Sequence, residues 1–121
     1  MYNTVKIGER MVPMMAMASC DVYYRNIFHE DAIKLQTKKD LDEGDLVNFI
    51  MKMGFVMAKF YELKADRKEM AKLNEDAYLD WLEQFEMMDM MTSFTDILDL
   101  WNIENLTHAT AKKKNGRSTG K

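Results

Sequence analysis

Proline occurs once, cysteine once and histidine twice in this chain of 121 residues, and glycine five times. Each scarcity excludes something. A lone Cys20 leaves no internal disulfide and suits a reducing compartment. His29 and His108 lie far apart with no HxxxH or CxxC spacing, which argues against a zinc site. Gly8, Gly44 and Gly54 stand alone, so there is no glycine-rich phosphate loop. No stretch approaches the roughly 20 apolar residues needed to span a bilayer. The N-terminus has no charged region leading into an apolar run and a small-residue cleavage site, so no secretion signal is expected. These absences together predict a soluble cytoplasmic protein.

Basic residues are missing from one long stretch. Between Asn74 and Trp101 there is no Lys or Arg, and from Glu75 to Glu104 nine acids gather. The net charge of −3 therefore hides a division: Lys112, Lys113, Lys114, Arg117 and Lys121 sit in residues 109–121, and everything before them carries −8. An acidic body does not suit nonspecific binding to phosphate backbones, so no nucleic-acid partner is expected.

What the chain has in abundance is methionine, thirteen in all. Met is flexible and polarisable and serves both as core filler and where a surface must fit irregular partners. Nearly half of the residues are apolar, enough for one domain with a core of its own.

Residues from about 3 to 18 read as a β-hairpin, with Thr4–Ile7 and Met11–Met17 flanking Gly8, which permits a positive φ in the connection. Pro13 donates no backbone hydrogen bond and belongs on an edge or at a bulge. A lone hairpin is marginal, so it must lie on helices or pair with another subunit. Ser19 or Asp21 can cap a helix starting near Val22, with Val22, Tyr23, Ile27, Ala32, Ile33 and Leu35 as its apolar positions and a break near Asp31. Residues 36–44 read as a loop.

Asp45 is the expected N-cap of a central helix from 46 to about 64. Its apolar positions are Leu46, Phe49, Ile50, Met53, Val56, Met57, Phe60 and Leu63, widened by Phe55 and Tyr61. Gly54 inside it points to a close helix crossing. Residues 64–74 form a charged connection or a helical continuation.

Asn74 then caps a helix with Glu75 and Asp76 in its first turn. Tyr78, Trp81, Leu82, Phe85, Met88 and Met91 are expected along one stripe, with Leu79 and Met87 on its flanks. Ser93 and Asp96 resemble a capping box that starts a last helix carrying Phe94, Ile97, Leu98, Leu100 and Trp101. The fold class is mainly α: a single helical domain of four to five helices over residues 1–105, with the N-terminal hairpin. Residues 106–121 read as a basic, disordered tail.

Catalytic chemistry is thinly represented. His29-Glu30-Asp31 is the one local cluster of catalytic residue types and reads as a solvated helix end. Cys20 has no sequence-local His and reads as a small buried residue. The acid row has three readings: a solvated helix face, a DNA mimic, or a rim that keeps a sticky surface soluble and selects basic partners. The neighbouring Trp81, Phe85, Met87 and Met88 favour the last.

Taken together, several segments resemble the tail assembly chaperones of long-tailed phages (siphoviruses) infecting Gram-positive bacteria. The carriers are Val5-Lys6-Ile7-Gly8, then Tyr23-Tyr24-Arg25-Asn26-Ile27-Phe28, then Trp81 to Asp89 leading to Ile97, Leu100 and Trp101, and the lysine-rich end. The likeness covers most of residues 5–114. Phe94-Thr95 stands where the family has a Leu-Pro pair, so the last inter-helix turn is expected to differ.

The resemblance implies a non-enzymatic protein without cofactor or metal. It would bind and solubilise the tape measure protein and promote tail tube polymerisation around it. It would work in the host cytoplasm and be absent from the mature virion. It also implies a longer, frameshifted form that recruits the tail tube protein, with Lys112–Lys114 either a slippery site, depending on their codons, or a plain basic tail; self-association is a further expectation. Partner contact is expected from Trp81, Phe85, Met87, Met88, Met90, Met91, Phe94 and Trp101, with Met87 and Met90 the surface members. Trp81, Leu82, Phe85, Ile97 and Trp101 are expected to close the core. The competing reading is an acidic phage-encoded interaction protein, a DNA mimic or an inhibitor of a host regulator.

Overall fold

A computed structural model describes residues 2–31 and 42–102. Two strands, β1 (Tyr2–Ile7) and β2 (Arg10–Met15), precede α1 (Ser19–Phe28), α2 (Glu43–Glu62), α3 (Arg67–Ala71), α4 (Glu75–Leu82), α5 (Met87–Thr92) and a final helical segment, α6, over 94–102. The architecture is mainly helical with an N-terminal antiparallel hairpin, as the apolar periodicity predicts. The basic tail and the positions Ala32, Ile33 and Leu35 lie outside the described residues.

The hairpin pairs Tyr2 with Met15 through to Ile7 with Arg10. Gly8 occupies the first position of its two-residue loop at φ 65°, where a side chain would be strained. A Cβ there would also come within 2.5 Å of the Asp89 carboxylate on α5. In a two-strand sheet Pro13 sits on an edge, and it stands opposite Thr4. Val5, Ile7 and Met14 are buried, so the hairpin rests on the helices rather than standing free.

The start of α1 differs from expectation. Ala18 holds the N-cap position without a side-chain bond, and Asp21 lies in the first turn, 3.3 Å from Arg25. The buried stripe is Cys20, Tyr24, Ile27 and Phe28, while Val22 is exposed. The helix stops at His29, which turns left-handed at φ 58° with its N–H donating to the Arg25 carbonyl.

Helix α2 starts earlier than the charge pattern implies. Asp42, not Asp45, is the cap, its Oδ1 accepting the Asp45 N–H at 2.7 Å, so Glu43 and Gly44 are helical. Nearly every residue from Phe49 to Phe60 is buried, on more than one face, which makes this the central helix. Gly54 marks the crossing: a Cβ would lie 3.3 Å from Ile97 of α6 and 3.7 Å from the Trp81 ring of α4. At the far end the Lys64 N–H reaches Tyr61 and the Ala65 N–H reaches Phe60, the paired bonds of a Schellman motif. The motif is made with Lys64 and Ala65 both at positive φ rather than with glycine. Part of the 64–74 connection is the one-turn helix α3, capped by Asp66.

Candidate interaction surface

Asn74 caps α4 as expected, accepting the Ala77 N–H at 2.9 Å, with Glu75 and Asp76 in the first turn. Trp81 then packs edge-on against Phe55 of α2 and against Phe85, with ring centroids 5.8 and 5.1 Å away.

Beyond Leu82 the structure departs from the single stripe. The Gln84 and Phe85 N–H groups bond to carbonyls three residues back, and Glu86 turns extended at φ −78°, ψ 147° before α5 begins. An unbroken helix would place Met90, nine residues past Trp81, about 180° away on the solvent side. The break resets the phase and turns Met90 inward to 2% exposure. Its expected role as a surface member is therefore corrected: Met90 is core. Met87 is on the surface at 55% exposure, and with it emerge Met88 and Met91, expected along the stripe, at 69% and 48%. They sit at relative positions 1, 2 and 5 of α5, hence on one side of it.

The other candidates divide. Trp101 is buried with Ile97 and Leu100 in the core, and Trp81 is almost wholly buried. Leu82, Phe85 and Phe94 are half-buried and packed against that core. Trp81 and Phe85 form part of the wall of an open groove of about 570 Å³ shared with Met11, Pro13, Ala58 and Tyr61. The Arg10 guanidinium lies 5.5 Å from the Phe85 ring centroid and donates to the Gln84 side-chain carbonyl. This fixes the linker between α4 and α5 to the hairpin. Phe94 lines a smaller hollow of about 270 Å³ between α2 and α6. Sequence reasoning missed Met11 and Tyr61. Met11 read only as part of a strand and Tyr61 only as a widening of the central helix's stripe; the docking of β2 on α2 brings them beside Phe85.

Ser93 does not act as a cap acceptor. It is buried, and its hydroxyl donates to the Met90 carbonyl at 2.6 Å. The turn between α5 and α6 is this single residue, without any proline.

The acids of this half differ from several of those elsewhere. Asp21, Glu30, Glu62 and Glu69 each hold a cation. Among the described residues, none of the acids from Glu75 to Asp99 is in an ion pair. Glu83 and Glu86, in the segment leading into α5, and Asp96, in the first turn of α6, are exposed, as are Glu75, Asp76, Asp80 and Asp99.

The groups of catalytic type are occupied structurally. Glu30 accepts from the Tyr24 hydroxyl at 2.9 Å and from Lys52 at 3.0 Å, and Lys52 also lies 5.1 Å from the Phe28 ring centroid. Burial, then the bond to Glu30, pushes the Tyr24 hydroxyl above its usual pKa; burial and the Glu30 charge push Tyr78 up to about 12. Both phenols are thus neutral fixtures of the aromatic core. Cys20 is buried, with its thiol 3.5 Å from the Met15 carbonyl. No group of three or more potential metal ligands exists among the described residues, and no described helix is long and apolar enough to cross a membrane.

Comparison with protein-family models, curated proteins and solved structures gives no match.

Proposed function

We propose that this chain is a phage tail assembly chaperone: a non-enzymatic protein that binds and solubilises a tape measure protein and promotes tail tube polymerisation around it. The observation that carries the reading is the exposed methionine ridge Met87, Met88 and Met91. Three large apolar side chains on one side of a two-turn helix are more than a solvated face needs. Thioether side chains adapt to many helical surfaces, and a tape measure protein offers a long series of amphipathic helices. Weak contacts repeated along such a client give strong overall attachment, yet release one at a time as the tube advances.

In this reading the protein acts in the host cytoplasm, leaves before the virion matures, and has a longer frameshifted form that meets the tail tube protein. The DNA-mimic alternative is disfavoured because a surface imitating phosphates has no use for a methionine ridge at its centre. Co-expression tests the proposal. A tape measure protein that is insoluble alone should become soluble and co-purify with this chain, and finished tails should contain none of it. A client equally insoluble with and without the chain would overturn the reading.

A further inference from the structure

The charges near the α5 ridge bear on what could cover it. We propose that the ridge receives a cationic amphipathic helix: Met87, Met88 and Met91 take the apolar stripe, and Glu83, Glu86 and Asp96 take the flanking Lys or Arg side chains. The inference rests on the chaperone reading for the client's helical form, and it adds the client's charge.

Three observations support it. All three methionines are exposed, while Met90 between them is buried and anchors the helix, so the ridge is held from beneath. The acids of α4 to α6 have no cation of their own among the described residues, whereas Asp21 on α1, Glu62 on α2 and Glu69 on α3 each have one. No Lys or Arg occurs between Asn74 and Trp101 that could neutralise them from within the stretch.

The same charges argue against a second copy as occupant. A two-fold contact sets the same patch against itself, so it would gather the unpaired acids of both copies at one interface. A client carrying the opposite charge meets no such repulsion. Its apolar stripe supplies most of the affinity, and the charges supply orientation and choice of partner.

The test uses the full chain and two fluorescein-labelled helical peptides of roughly 18 residues, long enough for five turns. One is built of Leu and Lys, the other of Leu and Glu in the same pattern. Fluorescence anisotropy should show the Lys peptide binding at least about tenfold tighter. Raising NaCl from about 0.05 to about 0.5 M should weaken it at least about fivefold, because the acids are exposed and screened. Met87→Ser with Met88→Ser should reduce binding of the Lys peptide by about tenfold or more. Glu83→Gln with Glu86→Gln should remove most of the preference between the peptides, with an unchanged melting curve for each variant as control.

Equal binding of the two peptides would overturn the proposal, as would a preference that survives the Glu→Gln changes. Lys112→Gln, Lys113→Gln and Lys114→Gln together provide another check: a tenfold gain in peptide affinity would make the chain's own tail the occupant and also overturn it. A Lys peptide that binds beside a tape measure protein that stays insoluble leaves this inference standing and removes the chaperone reading. A solubilised client with no charge preference does the reverse.

Discussion

Replacing Met90 and Met88 separately by alanine separates the buried side of α5 from its exposed side. The residues are neighbours but for Asp89, belong to the same short helix and have the same chemistry; only their exposure differs, 2% against 69%. Met90→Ala deletes a buried side chain from a core fully formed on every side. Lost transfer energy and the residual cavity together cost about 2–5 kcal/mol at such sites. For a domain of this size, about 3 kcal/mol lowers the melting temperature by roughly 10–15 °C. Met88→Ala removes a side chain already in water, so its effect should stay within about 0.5 kcal/mol. Thermal and urea unfolding followed by circular dichroism measures both. A larger loss for Met88→Ala than for Met90→Ala would refute the phase break at Glu86, because an unbroken helix would carry Met88 into the core and Met90 out of it.

Three further outcomes follow from single positions. Gly54→Leu should cost about 1–3 kcal/mol, since overpacking against Ile97 and Trp81 outweighs the roughly 1 kcal/mol of helix propensity regained; urea midpoints check it, and a stabilised variant would show the crossing to be loose. Lys64→Gly should raise stability by about 0.5–1 kcal/mol, because φ 55° costs a side chain more than glycine's added chain entropy; a loss would mean that the Lys64 side chain holds the turn. Asp21→Asn tests a pH effect. Burial outweighs the Arg25 charge and, with Asp31, raises the Asp21 pKa, and its Oδ1 has no hydrogen-bond partner. A folded-state pKa above the unfolded value means the group's contribution is fully present below the ordinary carboxylate range and lost as pH rises through the raised value. Wild type should therefore gain stability relative to Asp21→Asn between about pH 7 and pH 4, as read from paired urea titrations; a constant difference would contradict the shift.

The elements with a strong period were legible in the sequence. Phe49 to Phe60 repeat their apolar positions densely enough to declare a buried central helix, and Gly54 declares the crossing that Ile97 and Trp81 fill. Gly8 and the flanking runs define the hairpin. Caps were legible where one residue had the right chemistry in the right place, as at Asn74. They were not where several acids competed: Asp42 and Asp45 both have the chemistry of a cap, and the earlier one takes the role.

The ridge was legible as a region and misread in detail. Nothing between Leu82 and Met87 is a glycine or proline, so the local sequence carries no signal for a break. The break is favoured by long-range contacts instead: Met90 is held in the core and Arg10 of the hairpin covers Phe85. Helical spacing extended through it therefore swapped Met88 with Met90. The groove was out of reach for the same reason, since Met11 and Tyr61 are 50 residues apart and meet Phe85 only in the folded chain.

The central claim is that the α5 ridge holds the client. Co-expressing the tape measure protein with the full chain carrying Met87→Asp and Met88→Asp, beside wild type, tests it most directly. Both residues are exposed, so the variant should melt within a few degrees of wild type yet leave the tape measure protein in the insoluble fraction. A variant that folds and still keeps the client soluble would contradict the account.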